Sequence, residues 1–224
     1  SVGVNTLRVI SEHPDRFDYD LTAVTVESAR VHAEGALLDL AAPPGGGGVA
    51  LSLDVDAAGA LARRLSGGLL AGAAAAAHLG IHGSYLGPRF AASASRIEVA
   101  ALPGVEIEWA EAELDGLSGL ATLRDLTLTG HGGKLRIAAT LDRPLGHLDG
   151  ALRVIESLDL STLAPAKWLA LARGKQLSGR LAFDGLLEDI SVRPIDLRLG
   201  QARLTGAVSL SGGVVHADRL MASL

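Results

Sequence analysis

The chain contains no cysteine. That excludes disulfides and thiolate metal centres but leaves the compartment open, since cysteine-free chains suit both cytosol and periplasm. Aromatic residues make up only 3% of its 224 residues, so any core has to be built from Leu, Val, Ile and Ala. Basic blocks are missing as well. With 20 Lys+Arg against 25 Asp+Glu the net charge is −5, and no stripe of cations in the sequence could track a phosphate backbone, so nucleic acid is excluded as a partner. No signal peptide is legible, because "SVGVNTLRVISEHPDRF" lacks a basic start followed by an apolar run. The ends carry no terminal feature either, and the expectation is a segment of something longer.

What is present is aliphatic. Hydrophobic residues reach 48% and mean hydropathy is +0.32, high for a domain with a polar skin. Either the core is large or apolar surface is left for something else to cover. The 28 glycines favour turns and extended segments over long helices.

Those aliphatics fall at every second place. "VALSLDV", "RIEVA", "VEIEW", "DLTLT" and "KLRIAATL" alternate with Arg, Asp, Glu, Ser or Thr. So do "GRLAFDG", "DISVRPIDLRLG", "QARLTGAVSLSGG" and "VVHADRLMASL". Period-2 alternation is the mark of strands with one apolar and one wet face. Breaks such as "TGHGGK", "LGQA" and "LSGG" come at hairpin spacing. The fold class is therefore all-β and antiparallel, in meander order. Two breaks in the alternation predict short helices, "DAAGALARRLSGG" (56–68) and "LDLSTLAPAKWLALARG" (158–174), the latter with Ser161 as N-cap and Gly174 as stop. "PPGGGG" (43–48) is a turn or loop.

The two helical breaks sit in matching surroundings. A strand precedes each ("VALSLDV", "GALRVIESLDL"), and a strand ending in Gly follows each ("AAAAAHLGIHG", "LSGRLAFDG"). A loop with proline and another alternating strand come next. The period is about 100 residues. It divides the chain into a first repeat at 49–150, a truncated second at 151–224, and N-terminal strands of the same sheet at 1–48. It also decides "AGAAAAAHLGIHG", where five alanines favour a helix and the lack of Asp, Glu, Lys and Arg from Leu65 to Pro88 invites a membrane span. The repeat places a strand there. Glycines and His78 and His82 interrupt the stretch, so transfer to lipid gains little, and helix propensity is a weak prior.

From "LSGRLAFDGLLEDISVRPIDLRLGQARLTGAVSLSGG" (177–213) and "GLATLRDLTLTGHGGKLRIAATLDRPLGHLDGALRV" (119–154), the chain resembles the AsmA-like superfamily, the TamB-like branch in particular, over roughly 49–224. The resemblance implies a long curved antiparallel sheet folded into an elongated hydrophobic groove with one or two short helices. It also implies a periplasmic, cell-envelope location, anchored to a membrane through regions outside this sequence. Partners would be phospholipid or another acyl lipid, and membrane-anchored flanking regions or an outer-membrane protein. The implied role is lipid transport or outer-membrane biogenesis.

Periodicity alone leaves the covering of the apolar face open. A second layer of side chains would close it, giving a structural or adhesive β-repeat protein or a soluble lipid-carrier barrel. Hydrocarbon would serve equally, and each buried CH₂ contributes about 0.8 kcal/mol. The residues at stake are Leu51, Leu53, Val55, Leu79, Ile81, Ile97, Val99, Leu126, Leu128, Leu135, Ile137, Leu181, Phe183, Leu197, Leu199, Leu204 and Val208.

Polar candidates carry less. His78 and His82 would suit a metal on a helix but lie too far apart on a strand. "HPDRFDYD", with His13, Asp15, Asp18 and Asp20, lacks the glycine turn and distal glutamate of a calcium loop. "TGHGGK" lies between two strands, so it is a hairpin turn and not a phosphate cradle or oxyanion loop. The glutamates of "VEIEWAEAELDG" form a wet face. There is no GxSxG, no HExxH and no isolated carboxylate pair. The expectation is no enzyme, no cofactor and no metal.

Overall fold

Alternating aliphatic and polar residues can bury one side of an extended chain only by pairing edge to edge, and the chain does so throughout. The computed structural model describes residues 2–3, 6–13, 16–26, 29–38, 47–100, 102–159, 175–186 and 188–223. The protein is all-β and antiparallel, as the alternation indicates, and the sheet is not closed. It divides into two units, Ser1–Leu120 and Ala121–Leu224.

The first unit holds β1 (Val2–Gly3), β2 (Thr6–His13), β3 (Arg16–Val26), β4 (Ala29–Leu38) and β5 (Gly48–Asp56). Helix α1 (Gly59–Leu65), β6 (Leu70–Ala71), β7 (Ala76–Ser84), β8 (Arg89–Val99) and β9 (Val105–Asp115) follow. The strands pair antiparallel in the order β2-β3-β4-β5-β7-β8-β9. Short β1 and β6 add to the ends of β3 and β8. "AGAAAAAHLGIHG" resolves as turn and strand: Ala73 and Ala74 turn, and β7 begins at Ala76. The helix expected over 56–68 is α1.

β10 (Leu120–Gly130) opens the second unit, with β11 (Gly133–Asp142), β12 (His147–Glu156), β13 (Leu158–Asp159), β14 (Gln176–Leu186), β15 (Asp189–Leu199), β16 (Ala202–Ser211) and β17 (Val214–Ser223). From β11 onward the order is β11-β12-β14-β15-β16-β17, with β13 added to β14. The helix expected at 158–174 falls outside the described residues from 160 on, and Leu158 and Asp159 form β13. In each unit one antiparallel pair, β5–β7 or β12–β14, is joined by an insertion and not by a tight turn.

"TGHGGK" is the β10–β11 hairpin turn. His131 and Gly132 both adopt positive φ, 52° and 75°, as the tightest hairpin turns require. The acidic segment around His13 spans the β2–β3 hairpin: His13 ends β2, Asp18 and Asp20 lie on β3, and Asp15 is outside the described residues.

Helix α1 packs over one end of the first sheet. Ala29, Val55, Ala58, Ala75 and Ile97 form a closed core there, with Leu61, Leu70 and Ile107 against it. The amide of Ala58 donates to the Ala75 carbonyl at 2.8 Å. Gly59 lies so close to Gly72 that an added Cβ would stand 1.7 Å from its carbonyl oxygen. Gly59→Ala is therefore expected to push α1 off the sheet and to destabilise the first unit by about 1–3 kcal/mol. Amide hydrogen exchange across residues 59–65 checks this, and unchanged protection there would contradict the docking.

Candidate apolar face

Residues directly opposite each other on paired strands share a face, so register turns the alternation into continuous rows. In the first unit one row runs Ala33–Leu53–Leu79–Ala92–Ala112, and the next runs Gly35–Leu51–Ile81–Phe90–Leu114. In the second unit Ile137–Leu152–Leu181–Ile195 form one row, and Ala139–Gly150–Phe183–Val192–Val208 another. A third joins Leu135 to Val154, and Leu197 pairs with Leu204. Gly150 leaves room for the Phe183 ring: a Cβ there would sit 2.5 Å from Cζ.

Bulges keep these rows in phase. In β15 the register shifts between Val192 and Ile195, so these residues, three apart, both fall in apolar rows, with Arg193 and Pro194 taking up the shift. In β8, Arg96 adopts φ 56° and brings Ile97 into the core beside Ala94. The same kink corrects the "VEIEW" alternation. Ile107 pairs with Ile97, but Trp109 pairs with Ser95. Trp109 is exposed on the polar side, around a hollow shared with Asp54, His78 and Ser93.

Of the candidate lining residues, Val55 and Ile97 are buried, both under α1. Leu51, Leu53, Leu79, Ile81, Val99, Leu126, Leu128, Leu135, Ile137, Leu181, Phe183, Leu197, Leu199, Leu204 and Val208 are half-buried. Among the described residues no large side chain is fully buried, and the buried apolar set is mostly alanine. Sequence reasoning missed Phe90, Ala92, Ala94, Ala112 and Leu114. In "RFAASASRIEV" the apolar face is mostly alanine opposite serine and alanine, so the contrast that reveals period 2 is nearly absent. It also passed over Leu152, Val154, Val192 and Ile195, whose alternation was visible or hidden only by the bulge.

The opposite face is polar and carries the ion pairs. His78 Nδ1 lies 2.7 Å from Asp54 Oδ1, and His147 Nε2 lies 3.2 Å from Asp184 Oδ1. His78 and His82 are exposed on β7, on either side of Gly80, where they line a hollow of about 620 Å³ with Glu34 and Ser52. Among the described residues no three metal-binding side chains come together. Arg203 holds Asp196 with two hydrogen bonds, at 2.9 and 3.1 Å, and this keeps the Asp196 carboxyl below its usual range. Backbone amides of Ser118 and Leu117 do the same for Asp115. No described helix is long and apolar enough to cross a membrane.

The arrangement defines a class: open antiparallel β units, each with one continuous aliphatic face and one charged face. Comparison adds no relative to that class, since no family model, curated protein or solved structure matches the chain.

An open face and a closed one respond differently to charge. Val55→Asp, at a position 8% exposed, is expected to cost about 3–5 kcal/mol, as an unpaired buried charge does. Ile137→Asp, in a half-buried row, is expected to cost about 1 kcal/mol. Urea midpoints of the two variants measure the difference; equal large losses would mean that the face is closed.

Proposed function

We propose that the chain is a β-groove module of a bacterial envelope protein of the AsmA-like, TamB-like kind, and that its aliphatic faces shield and conduct phospholipid acyl chains between membranes. The observation that carries this reading is that most large apolar side chains in rows running from strand to strand are only half-buried, with Val154 and Ile195 the buried members in the second unit. Such a row is too apolar to be left to water, and most of its large side chains keep some exposure. Alkyl chains fit it because their contacts are non-directional. A lining of Leu, Ile, Val and Ala, poor in aromatics and free of polar groups, offers no fixed pose, and a lipid can slide along it without breaking a hydrogen bond. The mechanism is passive: the wall lowers the cost of hydrocarbon outside a bilayer, and any driving energy comes from elsewhere. The location in this reading is the periplasm.

Native mass spectrometry of the purified chain is expected to show co-purified phospholipid; a lipid-free spectrum counts against the proposal. Leu199→Asp is expected to lower photo-crosslinking to an acyl-chain probe about tenfold, the equivalent of losing contact with about two CH₂ groups.

A further inference from the structure

The sequence has no basic block, yet the fold builds one. On the polar face of the second unit Arg136 pairs with Arg153, Arg153 with Arg180, and Arg180 with Asp196. In the neighbouring row Ser178 pairs with Arg198, and Arg198 with Arg203. Like charges directly opposite each other on paired strands are destabilising, and here they occur in succession. Two of the acidic groups on this face are engaged. Asp125 is bound to Arg136 at 2.8 Å, and Asp196 to Arg203 through two bonds. That leaves Arg153, Arg180 and Arg198 around a cavity of about 410 Å³, whose other lining groups are Val154, Ser178, Gly179 and Asp196. The like-charged pair Asp149–Asp184 on the same face is different, because His147 lies against Asp184.

We propose that this cavity binds a phosphate-class anion. Guanidinium groups present planar forks of donors that match phosphate oxygens. Three of them converging from β12, β14 and β15 exceed the single carboxylate beside them. Ser178 adds a hydroxyl to the lining, and the negative charge of Asp196 is partly offset by its bonds to Arg203. The aliphatic row lies on the other side of the sheet. The phosphate therefore does not belong to a lipid whose chains occupy that row, and the site is independent of whether the aliphatic face holds lipid at all. Two sources offer the chemistry: an anionic phospholipid headgroup at a bilayer surface, or a free phosphorylated solute.

The test is titration of the full chain with inorganic phosphate by calorimetry, and flotation with vesicles of phosphatidylglycerol against phosphatidylcholine. Saturable binding is expected in at least one arm, with affinity reduced about tenfold in Arg180→Gln and further in the Arg153→Gln/Arg180→Gln pair, the loss that one charge-assisted bond carries. Phosphate binding without preference for phosphatidylglycerol identifies the free solute; preferential flotation identifies the headgroup. A readout separate from binding is thermal stability in phosphate-free buffer. Arg153→Gln removes like-charge contacts with both Arg136 and Arg180 and is expected to leave the midpoint unchanged or raised. Absence of saturable binding in both arms, unchanged affinity in the paired variant, or a lowered midpoint in Arg153→Gln without anion would each overturn the proposal. Co-purified acyl lipid, measured in the same preparations, reports on the aliphatic face separately.

Discussion

This protein is governed by a continuous apolar sheet face whose large side chains, among the described residues, are nowhere fully buried. A strand satisfies its backbone polar groups sideways, through its neighbours, and that leaves the question of what removes its aliphatic side chains from water. Over one end of the first unit the answer is local: α1 folds over Val55 and Ile97 and makes a small dry core with alanines. Elsewhere among the described residues most row aliphatics stay half-buried, while Val154, Leu158 and Ile195 are buried without α1. Hydrocarbon is the simplest partner for such a wall, and the functional proposal is a direct consequence of that mismatch.

Continuity of the rows depends on small local devices. A strict alternation drifts out of phase wherever a strand bends, and a one-residue slip would send every aliphatic side chain to the charged side. The bulge at Arg193 and Pro194 and the left-handed residue Arg96 absorb the bend while returning Ile195 and Ile97 to the apolar side. Gly150 gives up its side chain so that Phe183 can lie across the row. The charged face compensates in turn, with cross-strand pairs such as Asp54–His78 and Asp196–Arg203 that order side chains where water is available. Exposed pairs of this kind add little stability; they matter more for deciding which charges are left over.

The class of fold was legible because period-2 alternation is a property of neighbours in sequence. The strands "KLRIAATL" and "GRLAFDG" announced themselves, and so did the helix at 59–65, where the alternation stops. Less legible were stretches whose apolar side is alanine, as in "RFAASASRIEV", and stretches whose phase a bulge resets. Trp109 looked like a continuation of Val105 and Ile107 and lies on the other side, because the kink at Arg96 cannot be read from "SASRIEV".

The sequence by itself determined that the chain would be extended, antiparallel and one-faced, since hydrophobic spacing and turn glycines act within a few residues. Only the tertiary structure decided which aliphatics were buried and which stayed half-buried, because burial depends on what distant segments pack against them, α1 over Val55 and Ile97 among them. It also decided that Arg136, Arg153, Arg180, Arg198 and Arg203, scattered through a net acidic chain, would stand side by side. Register is a relation between distant segments, and no local pattern encodes it.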